Sequence, residues 1–249
     1  MGLRDIDIKP GYVAKGEKLL NDFLLPAISE SKHYDRVTSF YTIDSLLAIS
    51  QGIQSLYEKH GSMRLIIGIH SFPSELIDAT LRQEYLSNEV KKIRQQITKD
   101  LLSISDALEK EQLATLAWMI QDKLLEVKVA SVRGDGLFHP KTLILVDDKN
   151  DTVVAIGSPN ETAKGLGGNV EQLMIAKSWE NQETVDYNVA FFESLWSGDE
   201  EDVITSDVTE ETKEMILQAL NKNRSTHFNK NEDLVSIIKE SAKMPVNFF

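Results

Sequence analysis

The chain has 249 residues, enough to bury a full core as one large domain or as one domain with an appendage. Hydrophobic residues at 41% and charged residues at 27% fit a globular protein, and the lack of cysteine excludes a disulfide framework and a thiolate metal site. A net charge of −12, from 27 Lys and Arg against 39 Asp and Glu, excludes a surface coated in nucleic acid but leaves room for a local basic cleft.

The opening stretch, MGLRDIDIKPGYVAKGEK, is polar and charged. It lacks the apolar core of a secretion signal, and no run reaches the ~18 apolar residues of a membrane span, so a cytoplasmic protein is expected. Glu17 to Ser29 reads as a helix with Leu19, Leu20, Phe23 and Leu24 on one side. Arg36 to Thr42 is β-branched and aromatic and reads as a strand. Asp44 or Ser45 can cap a helix carrying Leu46, Leu47, Ile49, Ile53 and Leu56, and Met63 to Ile69 follows as a buried strand. Helix, strand, helix, strand predicts an α/β layer with crossover connections.

Ser74 to Arg133 contains no glycine or proline before Gly134, and Leu108, Leu113, Leu116, Ala117 and Ile120 recur at helical spacing. Asp106 and Glu109 resemble a capping pair, which divides the stretch into two helices near Ser103 to Asp106. Leu124 to Val132 turns to period two, a third strand. Lys141 to Val146, Thr152 to Gly157 and Val170 to Ala176 supply three more, with Asp148 to Asp151 as a hairpin turn. A last amphipathic helix carries Val185, Val189, Phe192 and Trp196 on one stripe. Charge is near balance from Glu126 to Lys177, six Lys and Arg against seven Asp and Glu. The excess lies in Asp199 to Glu214, with eight acids and one lysine, which reads as a solvated loop and helix start.

One polar set interrupts the apolar strands. His139 and Lys141, two apart, project to one side of a strand, and Ser158 and Asn160 lie just past the end of the next, behind Gly157. A hairpin would bring the four together. Lysine, serine and asparagine donate hydrogen bonds, which suits phosphate oxygens, and a histidine beside them can act as nucleophile or acid/base. Glu171 on the following strand stands where it can orient an imidazole. Arg133 and Lys164 flank the set as candidates to track a nucleic-acid backbone, with ordinary surface charge the alternative for each. Gly165 to Gly168 reads as a tight turn, or as a backbone open to a phosphate. Trp118, Trp179 and Trp196 read as core or rim rather than base-stacking platforms, and Tyr41 is a candidate for the cleft.

His139-Pro-Lys141 followed by Gly157-Ser158-Pro-Asn160 resembles the signature of the phospholipase D superfamily. Glu171, in Asn-Val-Glu-Gln-Leu, resembles the arrangement in its nuclease members, which include metal-independent restriction endonucleases and helicase-associated modules. The likeness runs from about Glu17 to Trp196 and is specific in the 38 residues from Leu137 to Met174. It implies an α/β fold, a phospholipase D-like mixed sheet flanked by helices. Residues 1–198 would form the catalytic domain and 199–249 an acidic, helical C-terminal appendage. It implies a phosphodiesterase, a nuclease or the nuclease subunit of a bacterial defence or restriction system. Phospholipid phosphodiesterase or transferase, and a catalytically silent assembly module, are the alternatives.

The resemblance also implies roles. One His139 attacks phosphorus, a second His139 serves as acid and then base, and Lys141, Ser158 and Asn160 hold the charged oxygens. Glu171 orients a histidine, and no metal or other cofactor is needed. Only one His-x-Lys copy exists, since His33, His60, His70 and His227 have no lysine two residues on, so a homodimer would complete the site. No nucleotide-binding loop of the Walker type is present, which leaves a separate helicase, ATPase or other defence subunit as a candidate partner, with nucleic acid as substrate and no membrane. The family pattern departs at one point: Val146 stands where an aspartate is usual, and Asp147, one residue later, reads as a turn-flanking acid.

Overall fold

The structure, a computed structural model, describes residues 1–39, 48–68, 119, 122–133, 136–158 and 170–207. These form one eight-stranded mixed sheet. Its strands are β1 (Gly11–Lys15), β2 (His33–Thr38), β3 (Ser62–Gly68), β4 (Leu125–Val132), β5 (Thr142–Val146), β6 (Thr152–Gly157), β7 (Val170–Lys177) and β8 (Val203–Asp207). The order across the sheet is β1-β7-β6-β5-β2-β3-β4-β8. β2, β3 and β4 run parallel to one another, and every other pairing is antiparallel. Parallel neighbours need crossovers, and α3 (Ser50–Glu58) lies in the one from β2 to β3, as the alternation of elements predicts.

Period-two alternation sorts the side chains onto two faces. On the first, Tyr34, Leu65, Ile67, Leu143, Leu145, Val153 and Leu173 form a core with the helical segment after β1 and with α3. That segment comprises α1 (Gly16–Leu19), a π turn over Leu20–Leu24 and α2 (Leu25–Glu30). The sequence pattern predicts an unbroken helix here. The π turn sits just before Pro26, which has no N–H to give and whose ring crowds the carbonyl four residues back; Leu25 N–H instead reaches Leu20 O. α3 packs on α2 at Gly52, where a Cβ would come within 2.8 Å of Ile28 Cγ2.

On the second face, Val37, Ile66, Ala130, Phe138, Ile144 and Val154 meet Val185, Phe192 and Leu195 of α4 (Gln182–Ser197). Asn181 caps this helix through Thr184 N–H. Leu195 is buried where the sequence stripe named Trp196, which packs only partly buried beside Phe192. Arg64 of β3 ties α4 to the sheet. Its Nη2 lies 2.6 Å from Asp35 Oδ2 and 2.6 Å from Glu193 Oε1, while its guanidinium covers the rings of Phe192 and Trp196. Among the described residues nothing covers the second face where β1, β7 and β6 meet. There Val13 and Met174 are 72% and 67% exposed, with Val170 and Ile156 beside them.

β1 and β8 are absent from the sequence expectations. β1 is five residues between Pro10 and Gly16 with a single β-branched side chain, too weak a pattern to stand out. β8 lies inside the acidic run read as a solvated loop, yet it pairs with β4, Val132 opposite Val203. The sheet therefore extends past residue 198 to Asp207, and the boundary drawn there cuts through the sheet edge. Apart from Met119, which is buried in the first core, residues 74–121, where helices are expected, and the tail beyond 207 lie outside the described residues.

Candidate active site

The hairpin of β5 and β6 has two ends with different chemistry. At its turn, Asp147 is buried, and its carboxylate accepts the N–H groups of Leu3 at 2.8 Å, Lys149 at 2.8 Å and Asp151 at 2.9 Å. Asn150 takes the left-handed conformation, with φ 63°. Arg4 Nε reaches Asp151 at 2.7 Å, so the N-terminus is pinned to this turn. Asp147 is thus a turn residue, a full strand away from the polar set, as its offset from the family pattern suggests.

At the opposite end the described members of the polar set, His139, Lys141 and Ser158, come together. Phe138, 2% exposed, anchors the approach to β5 in the second core. The chain then turns His139 outward and puts Lys141 on the first face. The Lys141 ammonium lies 2.9 Å from His139 Nε2 and 3.1 Å from Nδ1. The two ring nitrogens point apart, so one ammonium cannot lie in line with both; it sits against the ring. Partial burial and then the Lys141 charge hold the His139 imidazole below its ordinary proton affinity. The neutral ring, the nucleophilic form, is thereby favoured.

Ser158, at the end of β6, is fixed from three sides. Its hydroxyl donates to Glu171 Oε2 at 2.5 Å and accepts Gln172 N–H at 3.0 Å, and its own N–H donates to Gln172 O at 3.0 Å. Glu171 is a buried carboxylate on β7, on the same face as Lys141. In this chain it therefore holds Ser158, and it attracts the Lys141 ammonium across the intervening strand. Gly157 makes this possible. A side chain there would collide with the Gln172 carbonyl oxygen and come within 2.9 Å of Leu173 Cδ2, prising β6 from β7 where Ser158 and Glu171 meet.

Burial, then Arg36, lowers the proton affinity of Lys141, and Glu171 opposes this. Arg36 is a residue the sequence reading passed over. It lies on β2 opposite Leu143, on the first face, 3% exposed. The signal was available, since an arginine inside an apolar strand is rarely buried without a purpose. Arg133 is exposed just past β4, at the same end of the sheet but three strands from β5; its N–H donates to Asp202 O. Asn160, Lys164, Gly165 to Gly168, Tyr41, Trp118, His70 and His227 lie outside the described residues. His33 meets Ser62 Oγ at the far end of β2, and His60 ends α3, both away from the set. Trp179 lies under Arg4, and Trp196 lies between Phe192, Arg64 and Lys128, so neither offers a free face. Among the described residues no group of three or more His, Asp or Glu is arranged to hold a metal ion.

A mixed α/β sheet here gathers an imidazole, an ammonium and a carboxylate-held hydroxyl at one end, a set whose nucleophile and donors suit a phosphoryl group. Residues 24–196 match the family described as cardiolipin synthase, PLD-like domain. The chain belongs to the phospholipase D superfamily, a superfamily of phosphodiesterases. No curated protein sequence matches it. Solved structures are similar at low identity. Phosphatidylserine synthase from Haemophilus influenzae Rd KW20 is similar with TM-score 0.51 and 13% identity, over 94% of this chain and 47% of that one, so this chain spans about half its length. NucT from Helicobacter pylori gives TM-score 0.43 and 14% identity, over 75% of this chain and 94% of that one. Nuc from Salmonella typhimurium, a phospholipase D family member, gives 0.40 and 13%, over 75% and 95%.

Proposed function

We propose that the chain is a metal-independent phosphodiesterase acting on nucleic acid, a nuclease or the nuclease subunit of a bacterial defence or restriction system. The observation that carries the chemistry is the convergence of His139, Lys141, Ser158 and Glu171 at one end of the sheet. The single motif copy and the placement of Glu171 favour the nuclease over the lipid enzyme.

In this reading the neutral His139 attacks phosphorus. The P–N bond forms as the P–O bond to the leaving group breaks, and the partner subunit's His139 gives its proton to the leaving oxygen. Water then attacks the phosphohistidine, loses a proton to that same imidazole, and breaks the P–N bond. Lys141, Ser158 and Asn160 bind the phosphate oxygens as charge builds on them. Glu171 fixes Ser158 beside them. A two-fold homodimer supplies the second imidazole. The exposed strip of Val13, Ile156, Val170 and Met174 supports it, because it is apolar and lies on β7, which carries Glu171, and on its neighbours β1 and β6, the latter leading to Ser158.

A second reading, a phospholipid phosphodiesterase or transferase, is favoured by the description of the matching family. Incubating the pure protein in EDTA with plasmid, single-stranded DNA, RNA and phosphatidylcholine vesicles separates the two. Cleavage of a nucleic acid with intact lipid is expected; headgroup release with intact nucleic acid would overturn the nuclease reading.

A further inference from the structure

The register fixes how the charges under the site are stacked. Arg36 pairs with Leu143 across β2 and β5, and with Leu65 across β2 and β3. Lys141 lies two residues nearer the site end than Leu143, on the same face, and His139 lies two further. From the depth of the sheet to its mouth the order is Arg36, Lys141, His139. Diagonal neighbours on adjacent strands stand within reach of long side chains. Glu171 stands on the other flank of Lys141, two strands away across the bare surface of Gly157.

This stack is unusual for a sheet face. Tyr34, Leu65 and Leu143 around Arg36 are buried, and Arg36 itself is 3% exposed. A lysine beside a buried cation is repelled from it and drawn toward the nearest acceptor. Its ammonium rests against the exposed His139 ring.

We propose that Arg36 is a further positioning residue of this site: its buried guanidinium, one strand over and one row beneath Lys141, drives the lysine ammonium outward against the His139 ring, where an incoming phosphate oxygen meets it. The like charges of Arg36 and Lys141 are relieved when an anion arrives, so the same stack raises the affinity for phosphate before any chemistry. The inference rests on the reading of Lys141 as a phosphate-holding group, and it does not depend on which phosphodiester is cleaved.

The test therefore reads the residues and not turnover. Among the described residues, the charged or titratable groups set around Lys141 are Arg36 from β2, Glu171 from β7 and His139 from its own segment. NMR of the lysine side chains gives the Lys141 titration and its response to inorganic phosphate. In the unaltered protein Lys141 titrates below the ordinary lysine value of ~10.4. Arg36→Met raises it toward the ordinary value and weakens phosphate binding at Lys141 and His139. Arg36→Lys, which keeps the charge, restores both. An ordinary Lys141 titration in the unaltered protein overturns the proposal even if every Arg36 variant fails to fold. So does a folded Arg36→Met protein with unchanged titration and phosphate affinity, the result expected of an arginine that only fills the core. A protein that binds phosphate as described but cleaves no nucleic acid would leave this inference standing and sink the nuclease reading alone.

Discussion

Burial and Lys141 together set the charge state of His139. Burial and the nearby ammonium both disfavour the charged imidazole, so the folded chain holds His139 below the ordinary value of ~6.5 and favours its neutral form. Replacing Lys141 with methionine removes the ammonium and keeps most of the bulk. The sign follows: without a neighbouring cation the imidazole binds its proton more readily, and its titration moves up toward ~6.5. Histidine NMR titration of the two proteins checks this, and a downward or absent shift would mean the two side chains do not interact. The exposure of His139 keeps the change modest, because solvent screens the pair.

The elements divide the labour. The turn end of β5 and β6 is structural, and one carboxylate, Asp147, holds three backbone N–H groups there. Asp147→Ala leaves those donors without their acceptor and costs about 2–4 kcal/mol of stability. Thermal unfolding should show the loss, while activity per folded molecule stays intact because the site lies at the other end. A folded variant without activity would put Asp147 in the chemistry after all.

Most of this division was legible in the sequence. The hairpin of β5 and β6, the strand β7 and the helix α4 each carry a strong period, and the motif sits at their ends. β1 and β8 were not legible, because each is five residues long and owes its place to a neighbouring strand rather than to its own pattern. The partners of Glu171 were not legible either. Its spacing suggested an imidazole, but only the pairing of β6 with β7 sets its carboxylate against Ser158. Arg36 was hidden for a similar reason, since its meaning comes from the register with β5.

At the scale of the molecule, the chain carries half of the proposed site. The strip of Val13, Ile156, Val170 and Met174 is where a second copy would close it. In a single chain Met174→Glu costs little, since the side chain already faces solvent. At a two-fold interface it buries two like charges near the axis. Light scattering should find the unaltered protein dimeric and the variant monomeric, with cleavage lost alongside the dimer. A variant that remains a dimer would place the interface elsewhere.

The account turns on a covalent bond between His139 and phosphorus. The most direct measurement is to quench a reaction on internally ³²P-labelled substrate, run in EDTA, and examine the protein. The account predicts label on His139 as a phosphoramidate, lost in acid and kept in base, and none on a folded His139→Ala protein, which is also inactive. Cleavage that requires Mg²⁺, or that survives in His139→Ala, would contradict it.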